Sequence, residues 1–250
     1  MNIFIVGGTS GIGLALAQIY LEKGYNVGVC GRNISKIPQE IMQNLKAFQL
    51  DVYQKDELFS AVQTFVDAEN LDIFINCAGS YAEDVAGKIS YSEAEEMLKT
   101  NISGTINFFE TGREIMKNQK SGKMATIASV SGILDYENSS LYTKTKRAVI
   151  QISDAYHRAL KPFGISVTIV APGYIDTQKL RNLNHQNLKK KPFLMDEKTA
   201  AITIFNAIES NKKIIIFPQK MKWMMKSLSI FPSFLLNLIM FRKAKWMKND

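Results

Sequence analysis

Tyr142 and Lys146 stand four residues apart in Tyr142-Thr143-Lys144-Thr145-Lys146, so any helix carrying them presents both on one face. A free phenol titrates near pH ~10 and is a poor acid–base group at neutral pH. An ammonium one turn away favours the phenolate. Bringing the phenol near neutrality takes ~4 kcal/mol of differential stabilisation, attainable in a sheltered, cofactor-filled site. By itself the pair carries little, because such pairs also lie on solvated helix faces.

A second cluster points to an anionic ligand. Gly7-Gly8-Thr9-Ser10-Gly11-Ile12-Gly13 follows an apolar run and opens a helix pattern. Glycines at such a turn let the backbone bend tightly and approach a pyrophosphate, whose charge then sits at the helix N-terminus. The spacing Gly7-x-x-x-Gly11-x-Gly13 differs from Gly-x-Gly-x-x-Gly, and a glycine-rich turn without a ligand is the plain alternative. A site for NAD would place Asp or Glu about 20 residues on, against the ribose 2′-hydroxyl. Here Gly31 stands there, followed by Arg32, whose guanidinium suits a 2′-phosphate. A solvated loop arginine is the alternative; the missing carboxylate favours NADP(H) over NAD(H).

These groups need a frame to hold them. Short apolar runs at 2–6, 25–30, 47–50, 71–76, 123–128, 165–170 and 213–217 read as strands. Amphipathic stretches at 11–23, 56–68, 91–99, 102–117, 141–160 and 196–210 read as helices between them. Near-continuous apolar strands alternating with helices predict an α/β fold, a parallel sheet covered on both faces. There is no internal repeat or interdomain linker, so residues 1–218 read as one domain and residues 219–250 as a C-terminal helical appendage.

Over roughly residues 1–218 the chain resembles the short-chain dehydrogenase/reductase family, in its branch of about 250 residues with Gly-x-x-x-Gly-x-Gly and Tyr-x-x-x-Lys motifs. The glycine turn matches that family's cofactor motif. Asp51-Val52 matches the pair beside the adenine ring, and Asn76-Cys77-Ala78-Gly79 the segment ending the fourth strand. Asn101 matches a structural and relay asparagine. Ser129, thirteen residues before Tyr142, matches the catalytic serine, with Ser131 the neighbour it must be distinguished from. Pro172-Gly173 with Thr177 matches the segment that positions the nicotinamide carboxamide. The bland readings are Asn76 and Asp51 as turn residues, Ser129 as a strand-end hydroxyl and Pro172-Gly173 as a loop breaker.

The resemblance implies a single-domain, Rossmann-type doubly wound sheet and a complete catalytic set, Asn101, Ser129, Tyr142 and Lys146. It implies a cofactor site of Gly7, Thr9, Ser10, Gly11, Ile12, Gly13, Arg32, Asp51, Val52, Asn76, Ala78, Gly79, Tyr142, Lys146, Pro172, Gly173, Ile175 and Thr177, with no metal. The implied activity is NADP(H)-dependent hydride transfer to or from a small carbonyl or alcohol substrate. Ser129 and Tyr142 would hold the substrate oxygen, Tyr142 would exchange the proton, and Lys146 would hold the nicotinamide ribose and lower the tyrosine pKa. Asn101 would hold a water through which the proton is replaced. The resemblance also implies a homo-oligomer, a dimer or tetramer. His157 and His185 fit no role and read as surface residues. Two other functions compete. A nucleotide-sugar epimerase or dehydratase on this fold usually has Gly-x-x-Gly-x-x-Gly and a longer C-terminal domain. A redox sensor that only binds NADPH has no need of Tyr142 and Lys146.

Composition narrows the classes further. The chain has 250 residues, 46% hydrophobic and 22% charged, which is ordinary for a folded protein. Cys30 and Cys77 fall in or beside strand-like runs and read as buried free thiols of a reducing compartment. The start of the chain shows no signal-peptide pattern, so the expectation is cytoplasmic. Net charge is +8, yet the body is slightly acidic: the excess lies in 179–191, with five basic residues, and in 220–250, with seven basic and one acidic. That is not the pattern of a nucleic-acid reader, and no nucleic-acid partner is expected. The basic run 179–191 sits where the family places a substrate lid; it suits an anionic substrate or a solvated loop.

The tail invites three readings. Met221, Met224, Met225 and Leu228 recur at helical spacing, and Phe234-Leu235-Leu236-Asn237-Leu238-Ile239-Met240-Phe241 is followed by Arg242, Lys243, Lys245 and Trp246. The run is far short of the ~20 residues that span a bilayer. Apolar stems with basic and tryptophan ends suit a helix in a membrane interface, at the inner face for a cytoplasmic protein. They equally suit a helix across the substrate mouth or against a second subunit.

Overall fold

In the computed structural model, which describes residues 1–82, 89–137, 139–189, 191–232 and 234–239, the first strand shows how the sheet is buried. β1 (Asn2–Val6) is buried at all five positions. Because side chains alternate across a strand, Ile3 and Ile5 join one hydrophobic cluster while Phe4 and Val6 join another. A strand apolar on both faces is what a sheet sandwiched between helix layers requires.

The chain continues through α1 (Gly11–Glu22), β2 (Asn26–Gly31), the short α2 (Gln39–Met42), β3 (Lys46–Gln49), α3 (Lys55–Val66) and β4 (Ile73–Asn76). Then come α4 (Tyr91–Leu98), α5 (Gly104–Gln119), β5 (Gly122–Ile127), α6 (Leu141–Leu160) and β6 (Ile165–Pro172). The last described elements are β7 (Ile175–Asp176), α7 (Gln178–Leu183), β8 (Met195–Asp196), α8 (Glu197–Glu209), β9 (Ile214–Phe217) and α9 (Gln219–Leu228). A seven-stranded parallel sheet has the order β3-β2-β1-β4-β5-β6-β9, and β7 pairs with β8. This is the doubly wound α/β fold the strand–helix alternation predicts.

Leu16, Ala17 and Tyr20 of α1 and Ala200, Ala201, Ile204 and Ile208 of α8 cover one face. Leu58, Val62 and Phe65 of α3 and Phe108 and Phe109 of α5 cover the other. Gly28, in the middle of β2, leaves room for aromatic packing there: a Cβ would fall 2.7 Å from both the Phe4 and Phe65 rings. Chain order reverses between β1 and β4, so a crevice opens beyond the carboxyl ends of those strands. Ligands bind such folds at that switch point.

The helices expected over 91–99 and 102–117 are continuous. A wide π-helical turn, Lys99–Ser103, joins α4 to α5 and carries Asn101. α4 begins with a capping box, Ser90 and Glu93 satisfying each other's backbone amides.

The tail is packed on the body. Met221 and Met225 of α9 form a cluster with Leu134 and Leu236, joined by Val130, Ile133, Tyr136, Met224 and Leu228. Glu137 N donates to Asn237 Oδ1 at 3.0 Å. The methionine stripe that suited insertion into lipid is therefore turned inward, over the loop that follows β5, and acts as a cover. Lys190, Met240, Phe241, Arg242, Lys243, Lys245 and Trp246 lie outside the described residues. No helix among the described residues is long and apolar enough to cross a membrane.

Two smaller expectations are corrected. His157 is half-buried, its Nδ1 3.2 Å from the Val167 carbonyl oxygen, because α6 lies against β6 there. Cys77 is only half-buried, since it faces the crevice; Cys30 is buried. Burial pushes both thiols up to about 12, which leaves them protonated and unreactive at neutral pH.

Candidate active site

The glycine turn is built by steric necessity. Gly7 has φ +74° and Gly11 φ +56°, conformations that L side chains rarely adopt. Gly13 packs under the turn so closely that a Cβ would fall 2.3 Å from the Gly7 carbonyl oxygen. The Gly7 and Gly8 amides both donate to Cys30 O, at 2.8 and 3.2 Å, tying the turn to the end of β2. Thr9 is buried, its Oγ1 2.8 Å from where a Gly31 Cβ would lie. Exposed Ser10 caps α1 without a side-chain hydrogen bond to it, and the first turn of α1 holds no acidic side chain. That helix end keeps amide donors for an anion, and half-buried Ile12 flanks them. The cradle therefore fits the diphosphate of a dinucleotide.

At the ends of β2 and β3, Arg32 Nη1 donates to Glu96 Oε1 at 2.6 Å, and its Nε lies 4.0 Å from Asp51 Oδ2. The Glu96 hydrogen bond holds the guanidinium above its ordinary pKa. Val52 packs on Gly104, and its carbonyl accepts from Asn107 Nδ2 at 3.2 Å. Buried Asn76 works within the scaffold: its Oδ1 accepts from Ala78 N at 3.1 Å, which fixes the turn leading to Gly79.

The four residues of the expected catalytic set converge beside this groove. Ser140 caps α6 by accepting from Thr143 N at 3.2 Å, which starts the helix one residue before Tyr142. Lys146 Nζ lies 6.0 Å from the Tyr142 ring centroid and donates to Ile127 O, at the end of β5, at 3.0 Å. Asn101 is held by three contacts: Ser80 N donates to its Oδ1 at 2.9 Å, and its Nδ2 donates to Ser80 O and Thr145 Oγ1, both at 3.0 Å. Thr145 Oγ1 in turn donates to Tyr142 O at 2.8 Å. A Cβ on Gly79 would lie 3.2 Å from Lys146 Nζ and 3.6 Å from Asn101 Oδ1, so a glycine keeps this corner open. Ser129 is near enough to the Tyr142 hydroxyl to lower its pKa, whereas the Ser131 hydroxyl is buried without a partner among the described residues. Electrostatics thus links Ser129, rather than Ser131, to the tyrosine.

The charge state differs from the one the four-residue spacing suggests. Desolvation pushes the Tyr142 phenol up to about 12; the Ser129 side chain pulls it down, and Tyr81 and Tyr174 push it further up. Tyr81 meets the Tyr142 ring edge-on at 4.9 Å. Lys146 does not enter that balance. Desolvation and then Lys179 bring its own pKa down to about 8. Burial thus shifts both groups toward their neutral forms, the phenol upward and the ammonium downward.

Beyond β6, Gly173 N donates to Phe217 O at 2.8 Å, and Pro172 is paired with Phe217 at the sheet edge. Ile175 is buried in β7, and Thr177 caps α7 by accepting from Leu180 N at 3.1 Å. Two residues on, Lys179 Nζ donates to Gly79 O at 2.9 Å, bridging the lid segment to the turn after β4. Desolvation and then Arg32 lower its pKa. Sequence reading singled out neither Lys179 nor Glu96, and Thr145 drew notice only as a spacer. Their partners are 100, 64 and 44 residues away, and nothing in local spacing announces them.

The comparisons agree with this architecture. Residues 1–188 match the family model for short chain dehydrogenase, and the chain belongs to that family. It is 31% identical over 218 residues to an uncharacterized oxidoreductase of Staphylococcus aureus strain N315, covering 84% of this chain and 91% of that one. An uncharacterized oxidoreductase of Staphylococcus epidermidis is 27% identical over 190 residues, covering 74% and 83%. Among solved structures, ElxO with NADP bound superposes with a TM-score of 0.76 at 25% identity, over 86% of this chain and 96% of that one. A 3-oxoacyl-[acyl-carrier protein] reductase from Brucella melitensis, at 24% identity and TM-score 0.72 over 86% and 88%, shares the fold. The protein is an oxidoreductase of the short-chain dehydrogenase family.

Proposed function

We propose that the chain reduces a carbonyl compound with NADPH, or oxidises the corresponding alcohol in reverse, with Tyr142 as the general acid and base. The observation that carries this reading is the convergence of Ser129, Tyr142, Lys146 and Asn101 on one corner beside the glycine turn. Bound NADPH supplies the hydride. Ser129 and Tyr142 donate hydrogen bonds to the substrate oxygen and stabilise its developing negative charge. Tyr142 then releases its proton to that oxygen as general acid. Lys146, which donates to Ile127 O in this structure, would hold the nicotinamide ribose and steady the phenolate that remains. Asn101, clamped by Ser80 and Thr145, keeps the α4–α5 turn in register with α6 and holds the water that returns the proton.

Preference for NADPH is supported by Gly31 in the place of a carboxylate and by Arg32 beside it, and the similar ElxO structure has NADP bound. Arg32 would hold the 2′-phosphate by giving up Glu96, so that ion pair would tune the preference. The glycine turn and the α1 N-terminus would hold the diphosphate, Asp51 and Val52 the adenine, and Thr177 the carboxamide.

Mixing the protein with NADPH and a panel of aldehydes and ketones tests the activity by loss of nicotinamide absorbance. Tyr142→Phe should lower turnover by ~10²- to 10⁴-fold, the usual contribution of a positioned acid, and leave NADPH affinity nearly unchanged. Substantial residual turnover on a good substrate would remove Tyr142 from its role. NADPH binding with no turnover on any carbonyl would favour the sensor reading.

A further inference from the structure

The inward face of α9 covers the loop after β5, and the outward face of the same tail is left to solvent with an unusual composition. Trp223 is 63% exposed, Ile230 78%, Phe231 43%, Phe234 72% and Leu238 50%. Of the four large hydrophobic side chains more than 60% exposed among the described residues, three are here. Elsewhere exposed apolar side chains are dispersed along the chain. An apolar group this concentrated on a protein surface marks something that covers it.

Charge identifies the occupant. Lys220, Lys222 and Lys226 are exposed on α9 with Trp223, Lys226 Nζ lying 5.5 Å from the Trp223 ring centroid. Residues 220–250 hold seven basic side chains and a single acidic one, the C-terminal Asp250, while residues 1–176 hold 16 basic and 19 acidic ones. A second copy's body, slightly acidic and with its charges mixed, is a weak counterpart to so dense a cationic patch. An anionic lipid surface complements both parts at once: headgroups meet the lysines, and the indole and phenyl rings enter the boundary with the acyl chains. No described helix spans a bilayer, so the contact is peripheral.

We propose that the outward face of α9, with Ile230, Phe231, Phe234 and Leu238, docks the protein on an anionic membrane surface, α9 serving at once as cover for the loop after β5 and as anchor. Met221 and Met225 pack on Leu134, and Val130 beside them adjoins Ser129. Docking therefore holds the loop that adjoins Ser129 close to the bilayer, within reach of a carbonyl compound partitioned there. That last consequence rests on the reductase reading; the docking does not.

The test is co-sedimentation of the full chain with vesicles of phosphatidylcholine and phosphatidylglycerol, against phosphatidylcholine alone, needing no substrate or turnover. Each lysine near an anionic surface strengthens binding about fivefold. The triple variant Lys220→Gln, Lys222→Gln, Lys226→Gln should thus lose on the order of 100-fold at low salt. Trp223→Ser with Phe234→Ser should lose about tenfold or more, with the salt sensitivity of the remainder unchanged. These side chains are exposed, so NADPH affinity should be retained and reports the fold. With Trp246→Phe as background, brominated lipid should quench Trp223. Absence of sedimentation by the full chain at low salt, or equal binding by all variants, overturns the proposal. So does a lipid-free dimer that Trp223→Ser with Phe234→Ser dissolves, which would make a second copy the occupant.

Discussion

At the β1–α1 turn the groove is walled by main chain. The Gly7 and Gly8 amides are tied to Cys30 O, and Gly13 leaves no room for even one added carbon. Over the loop after β5 the packing is instead side chain, with Met221 and Met225 closing on Leu134. A backbone wall admits one conformation, and it suits a ligand that never changes. Methionine is unbranched with three rotatable bonds, so a wall built from it can reshape around different apolar ligands at small cost. On the proposed function, the rigid end would meet the dinucleotide and the adaptable end the substrate.

That contrast can be broken at its stiffest point. Gly13→Ala should cost ~3 kcal/mol of folding stability, the upper range for overpacking, and abolish NADPH binding. Urea denaturation and cofactor fluorescence measure the two effects. A variant as stable and as tight-binding as the parent would mean that the turn is not rigid. The soft end should respond differently. Met225→Ala should loosen the tail by ~2 kcal/mol, the low end for truncating a packed methionine. Limited proteolysis would read this as earlier loss of the tail, with NADPH affinity unchanged. An equal fall in NADPH affinity would show that the two ends are one cooperative unit.

The smallest expected effect sharpens the cofactor end. A charge-assisted hydrogen bond contributes ~1.5–3 kcal/mol, but Arg32 already makes one to Glu96. Exchange of partners leaves ~1 kcal/mol, so Arg32→Ala should weaken NADPH about fivefold and NADH hardly at all. Glu96→Gln should do the reverse, strengthening NADPH binding a few-fold by freeing the guanidinium. Parallel titrations of both cofactors decide it, and equal NADPH and NADH affinities in the parent protein would remove Arg32 from the site.

Much of the frame was legible along the chain because it depends on neighbours. A short, unbroken apolar run marked β1, and apolar periodicity marked α1, α3 and α8 to within a few residues. The order of Asn101, Ser129, Tyr142 and Lys146 was readable because one fold positions them in sequence. The π-helical turn was not, since a five-residue widening leaves no mark on an amphipathic pattern, and two helices were expected where one bent helix runs. The short β7 and β8 escaped for a related reason: two-residue strands have no periodicity to read.

By itself, then, the sequence determined the doubly wound sheet and the glycine turn that opens its first helix. Both follow from steric rules and periods that act over a few consecutive residues. Only the tertiary structure decided that Arg32 is held by Glu96, that Lys179 reaches Gly79 and that Asn101 is clamped through Thr145. It also decided that Tyr142 keeps its proton, because desolvation sums over every group packed around the phenol, Tyr81 and Tyr174 among them. It sorted the tail's apolar residues into those turned inward on Leu134 and those left facing out. Helical spacing can group residues on a face, but which face meets the body depends on a surface about ninety residues away, beyond the reach of any local pattern.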